Sequence, residues 1–186
     1  MPDVYIIGAH STPFGKRPAD TFRNLTRETY LGALADAGLE TGDDIEFAWF
    51  GNCGMGTFGQ ACIRGQTCFT PLVNEGLFPE RVPMINVEGG CATASMALNG
   101  AVKDVASGAT EVSLAIGVEK TFFKGDADKT QEIFSAGIDQ LDPEEWHEYY
   151  GRAAKETGKH FDPQAGGGTV FMDTYAMQAA WHMQKF

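Results

Sequence analysis

The chain reads as an α/β fold with a mostly parallel sheet, in βαβαβαβ order, followed by a long excursion. Two observations predict it. Short apolar, often β-branched runs alternate with helix-length segments, the arrangement that lays helices over parallel strands through right-handed crossovers. Glycine or proline closes nearly every run, which sets the boundaries. With 186 residues and 43% hydrophobic content, the chain can bury one full core.

The elements follow in order. Residues 4–9 (VYIIGA) predict a first strand, and 11–18 a Gly/Pro loop. Residues 24–37 predict a helix with Tyr30, Leu31, Leu34 and Ala35 on one face and Gly38 as its stop. A second strand is predicted over 45–50. The glycine-rich stretch 51–59 then leads into a helix over 60–70, and Pro71 and Pro79 bracket the link to a third strand, 82–87. A helix opening at Cys91 runs to 107, where Gly108 stops it. Residues 111–118 are apolar except at Glu111 and Ser113, as expected of a fourth strand covered on both faces. After Glu119 the pattern changes. Residues 121–164 are rich in charge, glycine and aromatics, and Asp142 before Pro143, Glu144 and Glu145 marks a helix start. Residues 166–168 (GGG) predict a hinge or turn, and 169–186 a last helix. Long excursions in compact domains tend to be functional, so this one reads as a lid or binding region. Phe122, Phe123, Phe134, Trp146 and Tyr149 suit either the wall of an apolar ligand tunnel or a small core of that excursion.

Composition narrows the function. A net charge of −11 argues against nucleic acid or an anionic membrane as the main partner. The N-terminus lacks the pattern of a signal peptide, and no apolar run reaches membrane-spanning length. Four cysteines without paired spacing then predict reduced thiols and a cytoplasmic protein. Cys53, Cys62 and Cys68 follow no common zinc spacing, so they are expected to be core or interface thiols and no metal is expected. The 51–59 stretch lacks the lysine and Ser/Thr ending of a phosphate loop. It reads as a tight turn at a subunit contact.

One motif carries chemistry. In residues 84–98 (MINVEGGCATASMAL) a strand ends in Gly89 and Gly90, and Cys91 opens a small-residue helix. Two glycines permit a sharp turn and close approach of a ligand. A helix N-terminus offers unpaired N–H groups and the positive end of a dipole, which favours the thiolate over the thiol. The N–H groups around Gly89, Gly90 and Ala92 can stabilise the oxyanion that forms when a thioester carbonyl is attacked. An inert, buried cysteine on an apolar helix is the plainer alternative.

With these residues in view, the chain resembles the N-terminal half of a thiolase. Residues 6–15 (IIGAHSTPFG) resemble the family's opening strand and turn. Residues 56–66 (GTFGQACIRGQ) are similar to its second strand–helix junction, and 86–95 (NVEGGCATAS) to its nucleophile turn. Residues 115–120 (AIGVEK) look like the strand end that follows, and 171–176 (FMDTYA) like a segment near the lid of the sterol-carrier-protein-like thiolases. The resemblance implies that Cys91 takes the acyl group of a 3-oxoacyl-CoA and passes it to coenzyme A, or runs the reverse Claisen condensation. Coenzyme A is then a substrate, with no covalently bound cofactor. The Cys91-Ala92-Thr93-Ala94 variant resembles the sterol-carrier-like branch, whose members often handle bulky acyl chains and in some cases work with a small zinc- and OB-fold partner.

The resemblance also implies a homodimer or larger assembly and a second half-domain that supplies a base histidine and a second cysteine. None of His10, His147, His160 and His182 stands in such a motif, so that half-domain is expected to be absent from this chain. The expected division is a nucleophile-bearing core over 1–120 and the start of a lid over 121–186. Two other readings use the same residues: a ketosynthase-like condensing enzyme fed by an acyl carrier, and a non-catalytic thiolase-like scaffold.

Overall fold

The computed structural model describes residues 3–162 and 169–186, in two compact units that divide after Phe122. The first unit is a three-stranded parallel sheet with helices on both faces. Its elements are α1 (Phe22–Ala37), β1 (Phe47–Gly51), α2 (Arg64–Asn74), β2 (Met84–Val87), α3 (Thr93–Ser107) and β3 (Ser113–Gly117). The strand order is β2-β1-β3, with Trp49 opposite Ile85 on one side and Ala115 on the other.

Side-chain alternation along β1 sorts the two faces. Ala48 and Phe50, fully buried, point into a core built with Tyr30 and Leu34 of α1 and Cys68, Phe69 and Leu72 of α2. Tyr30, Phe69 and Phe78 meet edge-on or tilted, with ring centroids 4.5–5.7 Å apart, and the Tyr30 hydroxyl donates to the Leu77 carbonyl at 2.7 Å. Trp49 points the other way, onto α3. A Cβ at Gly100 would come within 2.4 Å of its ring, and its Nε1 donates to Asp104 at 2.6 Å. Met96, Leu98 and Val102 of α3 remain exposed.

Three expectations need correction. Residues 4–9 form no strand. Gly8 packs on Ala33 and Ala37 of α1, and the Ala9 N–H donates to Asp36 at 2.9 Å, so the segment is fastened to the helix instead of entering the ladder. Tyr5, Ile6 and Ile7 stay exposed, and a cavity of about 600 Å³ lies among this segment, α3 and β3. The second helix begins at Arg64, after Ile63 in a left-handed conformation (φ 47°), and continues through Pro71. Proline leaves the carbonyl four residues earlier without its helical donor. That carbonyl, Thr67, instead accepts from Arg23 Nε at 2.9 Å. On α1 the core face is Leu25, Thr26, Tyr30 and Leu34, while Ala35 is exposed. The 51–59 stretch contains a 3-10 turn, Gly54–Phe58.

The second unit holds three helices: α4 (Ala127–Ser135), α5 (Pro143–Glu156) and α6 (Val170–Lys185). Asp126 and Asp142 cap α4 and α5 through their side chains, accepting from the N–H groups of Lys129 and Glu145. The sequence reading foresaw α5 and α6 but not α4. Trp146 stacks on Tyr150 at 3.9 Å with Phe161 against both, and Phe134 meets Phe171. These rings are half-buried and pack within the unit, whose buried residues among those described are Ala154, Thr157, Met177 and Ala180, with Tyr149 left exposed. The predicted turn at 166–168 lies outside the described residues. No helix among the described residues is long and apolar enough to cross a membrane.

Candidate active site

The carboxyl ends of β1, β2 and β3 converge on one cleft of about 760 Å³ in the first unit, lined by His10, Asn52, Cys53, Cys91, Thr93 and Glu119 among others. Ends of parallel strands are where open α/β sheets place ligands, because the loops there are free of the ladder. Close packing brings α3 up to the strands. A Cβ on Gly51 would sit 3.0 Å from Thr93, and one on Gly117 only 2.8 Å from Ala94.

Cys91 lies in a 3-10 turn, Gly90–Ala92, that runs directly into α3, two residues before the helix whose first turn was expected to hold it. Its side chain is exposed. Gly90 holds φ 57° with open space around it, so glycine is required by backbone conformation and not by crowding. The N–H groups that the sequence offered as donors, at Gly89, Gly90 and Ala92, are all taken up within the protein. Gly89 donates to Thr93 Oγ1 at 2.9 Å, Gly90 to Glu88 at 3.1 Å, and Ala92 to the Gly89 carbonyl at 3.1 Å. Among the described residues none accepts from the N–H of Cys91 itself.

The neighbouring junction, after β1, is densely bonded. Asn52, wholly buried, donates to the Val118 carbonyl at 2.7 Å and accepts from the Met55 N–H at 2.9 Å. Arg64 donates to the Asn52 carbonyl. Glu119 accepts from the N–H groups of Cys53 and Gly54 at 2.9 and 3.0 Å, tying the end of β3 to the end of β1. Cys53 reaches the Gly90–Ala92 turn, with Sγ 3.1 Å from the Gly90 carbonyl and 2.8 Å from Thr93 Oγ1. The sequence reading placed Cys53 with the core or interface thiols. Its position two residues past the end of a parallel strand was the available signal.

The other cysteines separate cleanly. Cys68 is buried in the core, where burial pushes its thiol above its ordinary value, and Cys62 is exposed. Among the described residues no group of three or more His, Cys, Asp or Glu side chains could hold a metal ion. Of the histidines, His10 lines the cleft and packs on Gly32, where a Cβ would come within 2.3 Å of its ring. Arg17 and Lys120 also line the cleft, but both are engaged. Arg17 pairs with Asp20 and Glu28, which holds the Glu28 carboxyl below the usual carboxylate range, and Lys120 donates to the carbonyls of Pro18 and Asp20.

Residues 4–141 match the thiolase N-terminal domain. The chain belongs to the thiolase family. Across its whole length it is 32% identical to acetyl-CoA acetyltransferases of Methanothermobacter thermautotrophicus and Methanocaldococcus jannaschii, covering 41% and 40% of those proteins. It is also 37% identical, over 62% of its length, to benzoylsuccinyl-CoA thiolase subunit BbsB of Thauera aromatica, covering 28% of that protein. The chain thus spans well under half the length of the curated thiolases it matches.

Proposed function

We propose that the chain carries the nucleophile of a thiolase-type acyl transfer, with Cys91 as the attacking group. The observation that carries this reading is the junction after β2. There an exposed thiol stands beside an N–H that no acceptor among the described residues takes up, in a chain of the thiolase family. In the cleavage direction the Cys91 thiolate attacks C3 of a 3-oxoacyl-CoA. The Cys91 N–H faces the oxyanion that forms on that carbon. The C2–C3 bond then breaks, its electron pair leaves on acetyl-CoA as an enolate that takes a proton, and the acyl group stays on sulfur. The thiolate of a second coenzyme A takes the acyl group and frees Cys91. Condensation is the reverse.

Coenzyme A is a substrate in this account. The sterol-carrier-like Cys91-Ala92-Thr93-Ala94 turn and the likeness to a benzoylsuccinyl-CoA thiolase subunit support a bulky acyl chain. We assign residues 1–120 to the nucleophile core and 121–186 to the start of a lid. A second half-domain supplies the base histidine and second cysteine, in a dimer or larger assembly that works in the cytoplasm with a small zinc- and OB-fold partner. The test incubates the native assembly with 3-oxoacyl-CoA, with and without free coenzyme A. Coenzyme A-dependent release of a shortened acyl-CoA, lost in Cys91→Ser, is expected. Acyl transfer only from an acyl carrier protein would replace this reading with the ketosynthase-like one. Transfer from neither would favour the scaffold.

A further inference from the structure

Three donors converge on the Gly90 carbonyl: the Thr93 N–H, the Thr93 hydroxyl at 2.7 Å and the Cys53 thiol at 3.1 Å. In a trans peptide the C=O and the following N–H point in opposite directions. The peptide joining Gly90 to Cys91 is trans, so whatever fixes the Gly90 oxygen also aims the Cys91 N–H. Thr93 belongs to the turn itself and moves with it. Cys53 does not. It comes from the end of β1, and its own N–H is held by Glu119 from the end of β3.

We propose that Cys53 is a positioning residue: its thiol anchors the Gly90–Cys91 peptide to the sheet and so points the Cys91 N–H at the developing oxyanion. The inference rests on Cys91 being the nucleophile. It gives Cys53 no covalent part in the reaction. The thiol matters as a hydrogen-bond donor on the carbonyl side of the peptide, opposite the Cys91 N–H. An oxyanion donor stabilises the transition state only when it is aimed before the charge develops, because reorienting it during the reaction costs part of what it contributes.

The test separates the amide from the thiol. In the native assembly, acylation of Cys91 by acetyl-CoA develops an oxyanion, whereas alkylation of Cys91 by iodoacetamide does not. Both are followed by mass mapping of the Cys91 peptide in wild type, Cys53→Ala and Cys53→Ser. In Cys53→Ala, acylation is expected to fall roughly tenfold, less than the loss for deleting an oxyanion donor outright, while alkylation changes by less than about twofold. Cys53→Ser, whose hydroxyl can donate to the same carbonyl, is expected to restore most of the acylation rate. Thr93→Val, nearly isosteric, removes another donor of the same clamp and should show the same split, so the test stands even where Cys53→Ala fails to fold. Wild-type acylation in both Cys53→Ala and Thr93→Val overturns the inference. So does an equal fall in both reactions, or a serine variant no better than alanine. A wild-type protein that alkylates at Cys91 but accepts no acyl group removes the nucleophile reading, and the inference with it.

Discussion

Two strand–helix junctions at the same end of the sheet each carry a cysteine, and they are built in opposite ways. After β1, Asn52, Cys53 and Gly54 have their polar groups taken up by Val118, Met55, Arg64 and Glu119, and the Cys53 thiol is bonded to its neighbours. After β2, the N–H groups of Gly89, Gly90 and Ala92 go to Thr93, Glu88 and the Gly89 carbonyl, yet the Cys91 thiol is exposed and its N–H has no acceptor among the described residues. A hydrogen-bonded thiol and a saturated backbone give rigidity but no reactivity. An exposed thiol beside a free donor gives reactivity, but only if something else holds it still. The Cys53 thiol of the first junction bonds the Gly90 carbonyl of the second, and in the proposal above that bond is the support.

The sharpest way to break the contrast is to remove the reactive member. Cys91→Ala is expected to abolish acyl transfer, a loss of at least about a thousandfold, with thermal stability near wild type because the side chain is exposed. Turnover comparable with wild type would end the account. Gly90→Val attacks the conformation. A β-branched residue at φ 57° is strained by about 1–3 kcal/mol, so the turn should shift and acylation of Cys91 fall even where the fold survives; a crystal structure with the turn unmoved and full activity would contradict this.

Asn52→Ala strikes the supporting junction instead. It leaves the Val118 carbonyl and the Met55 N–H without their partner in a buried site, at about 2–3 kcal/mol in denaturant unfolding. An unchanged midpoint would mean the junction is not held as described. The smallest expected effect is alkaline. Burial raises the Cys68 and Tyr30 pKa values above their ordinary 9.0 and 10.0. The folded state therefore keeps protons that the unfolded chain gives up. The stabilisation is intact below about pH 9 and is lost as pH rises beyond it through the raised values. Cys68→Val should flatten the first part of that decline in a pH series of unfolding midpoints.

Much of this was legible locally. Gly38 and Gly108 stop α1 and α3 in left-handed conformations, Asp142 caps α5, and the Gly-Gly-Cys run forms the turn it promised. What was not legible depends on distant partners. Residues 4–9 have strand composition, but a strand exists only where a ladder accepts it, and here Asp36 takes the Ala9 N–H first. Pro71 reads as a helix end until Arg23, 44 residues before Thr67, supplies the missing donor. Cys53 looked like a packing thiol because its partners lie 37 and 40 residues downstream, across the sheet. The Cys91 N–H, without an acceptor among the described residues, was similarly hidden, since which of four adjacent amides stays unpaired is decided by the hydrogen bonds in and around the turn.

The central claim is that Cys91 is the group that receives the acyl chain. Its most direct test is peptide mass mapping of the native assembly, quenched in acid after brief exposure to acetyl-CoA. The account predicts an acetyl group on the peptide carrying Cys91, removed again by added coenzyme A. Full turnover with Cys91 unmodified, or an acetyl group on Cys53 or Cys62 in its place, would contradict it.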